Sequence, residues 1–359
     1  PSGVARYIDK IQSALINNNP SLKIVLISNR PLPVIYRKKI KINPQIIIPK
    51  WPLYFSIIPC SLFICLIYPI STLFSNQVRY FWGPSFFVPL FGKFISIITI
   101  HDLVFKLYPN TQTIFARLIG NRFIYASMLS SKRISCVSNI TFKLMKKYYY
   151  NFYEKLFIAS CSTDFKYESI PSGSSSSWNF SFSKKQYILY VGSLEPRKNL
   201  INLLKSFEQL SPYYQDVNLV LVASRTWSYS DFHKLLVNSS SRNKIILLDD
   251  ISDKDLNKLY KNSLFTVLPS FYEGYGLTAI ESLISGSNLI CTTECELPYI
   301  LGTEVSSRVT FFDPFKDNLY SVMKRQLETK SNDDSEIIEL KLPTWAESSE
   351  ILLKEFYLC

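Results

Sequence analysis

Six short apolar runs punctuate the second half of the chain, at Tyr187–Val191, Leu219–Ala223, Ile245–Leu248, Leu264–Leu268, Asn288–Cys291 and Val309–Phe312. Runs this short, rich in Val, Ile and Leu, suit strands buried on both faces, which is the situation of a parallel sheet covered by helices. The gaps between them read as helices. Leu200, Leu203, Leu204 and Phe207 recur at i, i+3, i+4 and i+7 behind Asn199 at the N-cap position. Ser252 and Asp255 resemble a capping box opening a helix through about Tyr260. Strict alternation of strand and helix predicts a doubly wound α/β domain over 186–342.

The first half carries the same signature less cleanly, with strand candidates at Lys23–Ile27, Gln45–Ile48, Ile95–Ile100 and Ile134–Val137, and a leading helix with Val4, Ile8, Ile11 and Leu15 on one face. At 359 residues, 47% of them hydrophobic, the chain is long enough for two cores. Residues 170–185, containing PSGSSSSW, break every periodicity and read as a linker between an N-terminal domain, 1–169, and the second domain. In 343–359, Trp345, Ile351, Leu352 and Phe356 suggest an amphipathic helix.

In a doubly wound sheet, ligands bind beyond the carboxyl ends of the strands, where the strand order reverses. Three post-strand segments bear chemistry. Gly192–Asn199 (GSLEPRKN) places Arg197 and Lys198 beside a helix start, where free amides and the helix dipole attract a diphosphate; the competing reading is a solvated charge pair. Pro269–Glu281 (PSFYEGYGLTAIE) puts Glu273 in a loop turned by Gly274 and Gly276, and Glu281 in the second turn of a helix that begins near Leu277 and stops before Gly286. Two carboxylates so spaced suit the hydroxyls at opposite ends of one extended ligand, with helix-start amides between them; the competing reading is a capped helix with an incidental surface glutamate. Thr99–Asp102 (TIHD) sets His101 at a strand end, where a histidine satisfied within the core is the competing reading.

Net charge +12 favours anionic partners. The basic residues are spread along the chain, and no nucleic-acid-binding motif accompanies them, so nucleic acid is set aside. The seven cysteines fit neither a disulfide framework nor paired zinc knuckles; Cys291 and Cys295 come nearest to a metal pair, but the chain has only two histidines. No metal is expected, and a reducing cytoplasmic setting fits. Leu53–Ile70 is apolar enough to raise a membrane span, yet Pro52, Pro59 and Pro69 interrupt it, so a buried or membrane-skimming helix is expected.

Together, GSLEPRKN, the Glu273-to-Glu281 motif within EGYGLTAIE, and TIHDLVF resemble glycosyltransferase family 4, whose GT-B fold sets two Rossmann-like domains facing across a cleft. FWGPSFFVP, CVSNIT, ELP and the stretch Ser2–Tyr7, which looks like that family's first glycine loop, extend the resemblance over nearly the whole chain. The resemblance implies a retaining, metal-independent hexosyltransferase using a sugar nucleotide and no other cofactor. Lys198, with Arg197, would neutralise the donor diphosphate. Glu281 would hold the ribose; Glu273 with Gly274, Tyr275, Gly276 and Leu277 would hold the donor sugar. His101 would meet that sugar from the other domain, and Gly3 would admit phosphate to the N-terminal backbone. TIHDLVF with EPRKN looks most like mannose-transferring members, so GDP-mannose is the first expectation and a UDP-sugar the next. The acceptor implied is a glycan or lipid-linked glycan in surface polysaccharide or lipopolysaccharide biosynthesis, with peripheral contact to an anionic membrane. The C-terminal helix would return to the N-terminal domain.

The chain also departs from the family pattern. No first strand precedes the glycine loop, Ser193 replaces a frequent basic residue, and Gly286–Asn288 replaces the more usual Gly-Thr-Pro. A truncated or degenerate relative that binds sugar nucleotides without catalysis is therefore the alternative, and a protein using Leu53–Ile70 as a span is another.

Overall fold

The computed structural model describes residues 3–27, 46–47, 59–70, 79–111, 116–165, 186–223, 230–302, 307–329 and 340–358. The chain divides into two compact units, Pro1–Ser162 with Pro343–Cys359, and Thr163–Leu342. The stretch 170–185, expected as a linker, lies outside the described residues.

In the first unit, helix α1 (Gly3–Asn18) is followed by a two-stranded parallel pair, β1 (Ile24–Val25) and β2 (Ile46–Ile47). A four-stranded parallel sheet then runs in chain order, β3 (Arg79–Gly83), β4 (Phe94–Ile100), β5 (Arg133–Cys136) and β6 (Leu156–Ile158), with α2 (Asn121–Ser130) between β4 and β5 and α3 (Asn139–Tyr148) between β5 and β6. Ser138 caps α3 by accepting the Thr141 N–H, which satisfies one of its first four amides. The buried stripe of α1 is Tyr7, Ile11, Leu15 and Ile16, whereas Val4 and Ile8 are only half-buried, so the helix is rotated from the expected face to seat a tyrosine. Strands β3 and β6 were not among the expected strands.

The apolar stretch expected as a buried or membrane-skimming helix is described from residue 59 onward. There it forms a short, continuous helical segment from Cys60 to Ile70 that buries Phe63, Ile64, Cys65 and Tyr68 in the first unit. Among the described residues, no helix is long and apolar enough to cross a membrane.

The second unit is a six-stranded parallel sheet built from β7 (Tyr187–Val191), β8 (Asn218–Val222), β9 (Ile245–Leu248), β10 (Phe265–Leu268), β11 (Leu289–Thr292) and β12 (Val309–Phe312), in the spatial order β12-β11-β10-β7-β8-β9. The six apolar runs are these strands. Helices α4 (Leu200–Leu210), α5 (Asp253–Asn262) and α6 (Leu277–Ile284) connect β7 to β8, β9 to β10 and β10 to β11, and α7 (Leu319–Glu328) follows β12. Leu200, Leu203, Leu204 and Phe207 of α4 are fully buried against Ile188, Tyr190 and Leu219 of the sheet, each contributing about 1.5–3 kcal/mol of burial. Ser252 caps α5 by accepting the Asp255 N–H. Asn199 stands at the N-cap position of α4 but does not cap it: its backbone is left-handed, with φ 57°, and its side chain donates elsewhere. Chain order reverses between β7 and β10, the two central neighbours.

The last helix, α8 (Trp345–Tyr357), belongs to the first unit and packs along α1. Thr344 and Glu347 form a reciprocal capping box at its start. The Trp345 ring meets Tyr7 at 5.9 Å. Arg133 of β5 pairs with Glu355 at 2.5 Å. Leu352 is buried, whereas Ile351, expected on the apolar face, is exposed.

Candidate active site

The reversal of strand order sets the loop after β7 beside the loop after β10. These two loops carry the charged residues singled out above. In the first, Gly192 lies where an added Cβ would stand 2.6 Å from the Tyr190 hydroxyl oxygen; the bare backbone lets the strand end turn over that ring. A short 3₁₀ turn, Pro196–Lys198, follows, and Asn199 exits in the left-handed conformation. The loops are tied together by backbone: Phe271 N–H donates to the Arg197 carbonyl at 2.9 Å, and Asn199 Nδ2 donates to the Pro269 carbonyl at 3.1 Å.

Within this frame, Lys198 Nζ lies 2.5 Å from Glu273 Oε1 and Arg197 Nη1 lies 3.2 Å from Glu273 Oε2. Ser270 donates to Glu273 Oε1 at 2.6 Å, and the Glu273 N–H donates to the Glu294 carbonyl at 2.8 Å. Arg197 Nη1 also donates to the Tyr272 carbonyl at 3.1 Å, and its Nε is held by Glu195 at 2.9 Å. Glu195 in turn accepts from Ser193 at 2.5 Å. Burial pushes the Glu273 carboxyl up, but Lys198, Arg197 and the Ser270 hydroxyl together outweigh it and hold the group at about 2. Burial pulls the Lys198 ammonium down, opposed by Glu273. The result is a buried cluster of fixed charges and donors, suited to meeting charge that develops on a bound group.

Glu273 leads into a turn that closes at Gly276, whose φ of +90° is left-handed and which precedes α6. Tyr275 is buried, and the Tyr275 carbonyl accepts from the Glu296 N–H. Leu277 opens α6, and Glu281 is buried in its second turn. Cys291 and Cys295 are reduced and buried, with their sulfurs 3.5 Å apart. Among the described residues, no three His, Cys, Asp or Glu side chains gather as a metal site.

Arg197, Lys198, Gly274, Tyr275, Gly276, Leu277, Glu273 and Glu281 therefore share one loop-and-helix assembly in the second unit. His101 and Gly3 belong to the first unit. Gly3 is the first residue of α1. His101 is buried at the end of β4, its Nε2 2.7 Å from the Pro84 carbonyl and its ring edge-on to Tyr7 at 5.1 Å. Because a carbonyl only accepts, Nε2 carries the hydrogen; burial lowers the ring's pKa, so the imidazole is neutral at pH 7. Sequence reasoning missed Ser270 and Glu195 as members of the cluster. The signal available was their position three residues before Glu273 and two before Arg197.

Residues 176–334 match the family described as glycosyl transferases group 1. The chain is 26% identical over 224 residues to the O-antigen chain mannosyltransferase B of Escherichia coli, a match covering 61% of this chain and 58% of that protein. It is 27% identical over 194 residues to the O-antigen chain mannosyltransferase RfbU of Salmonella typhimurium, covering 54% of this chain and 50% of that protein. These matches thus span between 50% and 58% of the length of the curated relatives. Among solved structures, WaaG, a glycosyltransferase involved in lipopolysaccharide biosynthesis, superposes with a TM-score of 0.63 at 13% identity, covering 98% of this chain and 92% of that one. This likeness places the two parallel-sheet, Rossmann-like units in the GT-B architecture.

Proposed function

We propose that this chain, whose residues 176–334 match the family described as glycosyl transferases group 1, is a retaining glycosyltransferase that moves a hexose from a sugar nucleotide to a glycan or lipid-linked acceptor, without a metal. The observation that carries this reading is the Arg197–Lys198–Glu273 cluster at the point where strand order reverses. Two cations on one short turn suit a diphosphate. A carboxylate held ionised beside them suits a sugar hydroxyl.

In the proposed reaction the anomeric C–O bond of the donor breaks, and its electron pair passes to the diphosphate oxygen. Lys198 and Arg197 stabilise that charge where a metal would otherwise be required. The acceptor oxygen forms its bond to the anomeric carbon on the same face, and its proton passes to the departing phosphate oxygen. No second, opposed carboxylate is needed, unlike in most glycosidases. Glu273 and the amides of Gly274 to Leu277 orient the sugar, Glu281 holds the ribose, and Gly3 admits phosphate to the backbone. His101, neutral and donating to Pro84, keeps its other ring nitrogen as an acceptor for a sugar hydroxyl.

The mannosyltransferases among the relatives favour mannose, and GDP-mannose as donor, ahead of a UDP-sugar. The test is nucleotide release from GDP-mannose, UDP-glucose, UDP-N-acetylglucosamine and UDP-galactose with chelator present, for the wild type and Glu273→Ala. Release from one donor that disappears in the variant supports the reading. Donor binding without turnover, in a folded protein, replaces it with a non-catalytic sugar-nucleotide binder.

A further inference from the structure

All six strands of the second sheet are parallel, so the loops after β10, β11 and β12 leave the same edge. The loop after β12, Asp313–Asn318, lies outside the charged cluster described above, and it holds Phe315 with 64% of its surface exposed. A lone exposed phenylalanine says little, but this one is fixed twice. Its ring stacks on that of Phe271, with centroids 5.7 Å apart and planes 29° from parallel. Its backbone sits in a tight turn: the Phe315 N–H donates to Asp313 Oδ1 at 2.9 Å, the Asp313 N–H to Asp317 Oδ2 at 2.7 Å, and the Asp317 N–H to the Asp313 carbonyl at 2.9 Å. Phe271 is anchored in turn by its N–H bond to Arg197, and it stands between Ser270 and Tyr272, which both bond to the cluster. The pair forms an aromatic floor that starts on the loop of Glu273 and ends in solvent.

Charged groups rim this floor. Lys316 pairs with Asp313 at 2.9 Å, and its ammonium is held above the usual lysine value by Asp313 first and then by Asp317 and Glu294. Glu294 belongs to the loop after β11, and its carbonyl accepts the Glu273 N–H. Three carboxylates against one ammonium make the rim acidic within a chain of net charge +12. A nucleotide, a nucleic acid or an anionic lipid would bring its phosphates to those carboxylates. A neutral pyranose would lay its C–H bonds on the negative face of the ring and donate its hydroxyls to the same carboxylates.

We propose that Phe315, backed by Phe271, is a subsite for a pyranose ring of the acceptor glycan, next along the chain from the unit that receives the donor sugar. Strand β12 lies two strand spacings, about 10 Å, from β10, so Phe315 stands past the sugar that Glu273 would orient. The proposal rests on the functional reading above, from which it takes the acceptor.

The test is titration of the full chain with mannotriose, maltotriose and chitotriose, read by calorimetry and by saturation-transfer NMR. The wild type should bind at least one of them, and Phe315→Tyr should bind it equally. Phe315→Ala and Phe315→Leu should each lose about tenfold or more in affinity, since leucine keeps the apolar bulk but not the ring face. Tyr213→Ala, which removes a 78% exposed ring between α4 and the start of β8 at the opposite edge of the sheet, should bind as wild type. Should Phe315→Ala fail to fold by circular dichroism, Phe315→Leu decides. Wild-type affinity in the folded variants, or no binding of any of the three sugars, overturns the proposal. So does loss of GMP or UMP binding with trisaccharide binding unchanged, which would make the ring a nucleobase platform. Nucleotide release from the donor in water, with no acceptor added, reads the proposed reaction separately, so its failure leaves trisaccharide binding at Phe315 standing.

Discussion

Lys198 Nζ and Glu273 Oε1 lie 2.5 Å apart across 75 residues of sequence, brought together because β7 and β10 are neighbours at the centre of the second sheet. Both side chains are about nine-tenths buried or more. Removing Glu273 leaves the buried Lys198 ammonium without its carboxylate, and removing Lys198 leaves Glu273 with Arg197 and Ser270 alone.

Lys198→Ala should therefore destabilise the second unit by about 3 kcal/mol, at the lower end of the range for breaking a buried pair. Under the proposed function it should also lower donor affinity and turnover together by at least about 100-fold. Urea melts and isothermal titration with the donor read the two effects. Unchanged donor affinity removes the diphosphate role from this loop.

Glu273 gives a pH signature. Its carboxyl is held at about 2 against an ordinary 4.5, so its stabilising contribution is fully present above about pH 4.5. The unfolded state takes up the proton first as pH falls, and the contribution fades through about pH 2, a loss of about 3 kcal/mol. Glu273→Gln should be less stable than wild type at pH 7 and converge on it only as the pH falls through about 2. A stability difference that stays constant over that window shows that the cluster does not hold the carboxylate ionised.

Gly276 is left-handed, and an added Cβ would stand 3.4 Å from the Cys295 Cβ. Gly276→Ala should cost about 1–2 kcal/mol from the backbone conformation alone. It also shifts the turn linking Glu273 to α6, so donor affinity should fall more than stability does. Thermal melts and donor titration separate these effects.

His101 should titrate below the usual histidine value, since burial lowers its pKa. The midpoint of its Cε1 proton resonance shift should fall below the usual value near 6.5. A full titration curve near 6.5 would mean that the ring is not buried against Tyr7 and Pro84 as described.

Trp345→Ala should destabilise the first unit by about 3 kcal/mol, because the indole is buried against the Tyr7 ring. A fragment ending at Leu342 should lose that unit's cooperative melt while keeping the second unit's. Retention of both transitions sinks this assignment.

The four inner strands of the second sheet are readable because they are largely buried on both faces and so become continuous apolar runs, whereas the edge strands β9 and β12 are only partly buried. Strands β3, RYFWG, and β6, LFI, are not readable in this way: one mixes arginine and glycine into its run, and the other is three residues long. Asn199 has the residue type of an N-cap, but its type also tolerates a left-handed backbone, and only tertiary contact with Pro269 chooses between them. Glycine placement and carboxylate spacing mark the loops of the site. The pairing of Lys198 with Glu273 depends on strand order, which local pattern does not encode. Hydropathy alone likewise cannot distinguish Phe63 and Ile64, buried in a core, from residues meeting a bilayer.

The helix α8 completes the first unit, yet it emerges from the ribosome only after the 180 residues of the second unit, Thr163–Leu342. At about 5–20 residues per second, that interval is roughly 10–40 s. Throughout it, α1 lacks the surface that covers Tyr7, and by its end the second unit has all of its strands. Birth order and folding order are thus opposed: the domain made first finishes last, and it is the one that a nascent-chain chaperone would have to shelter.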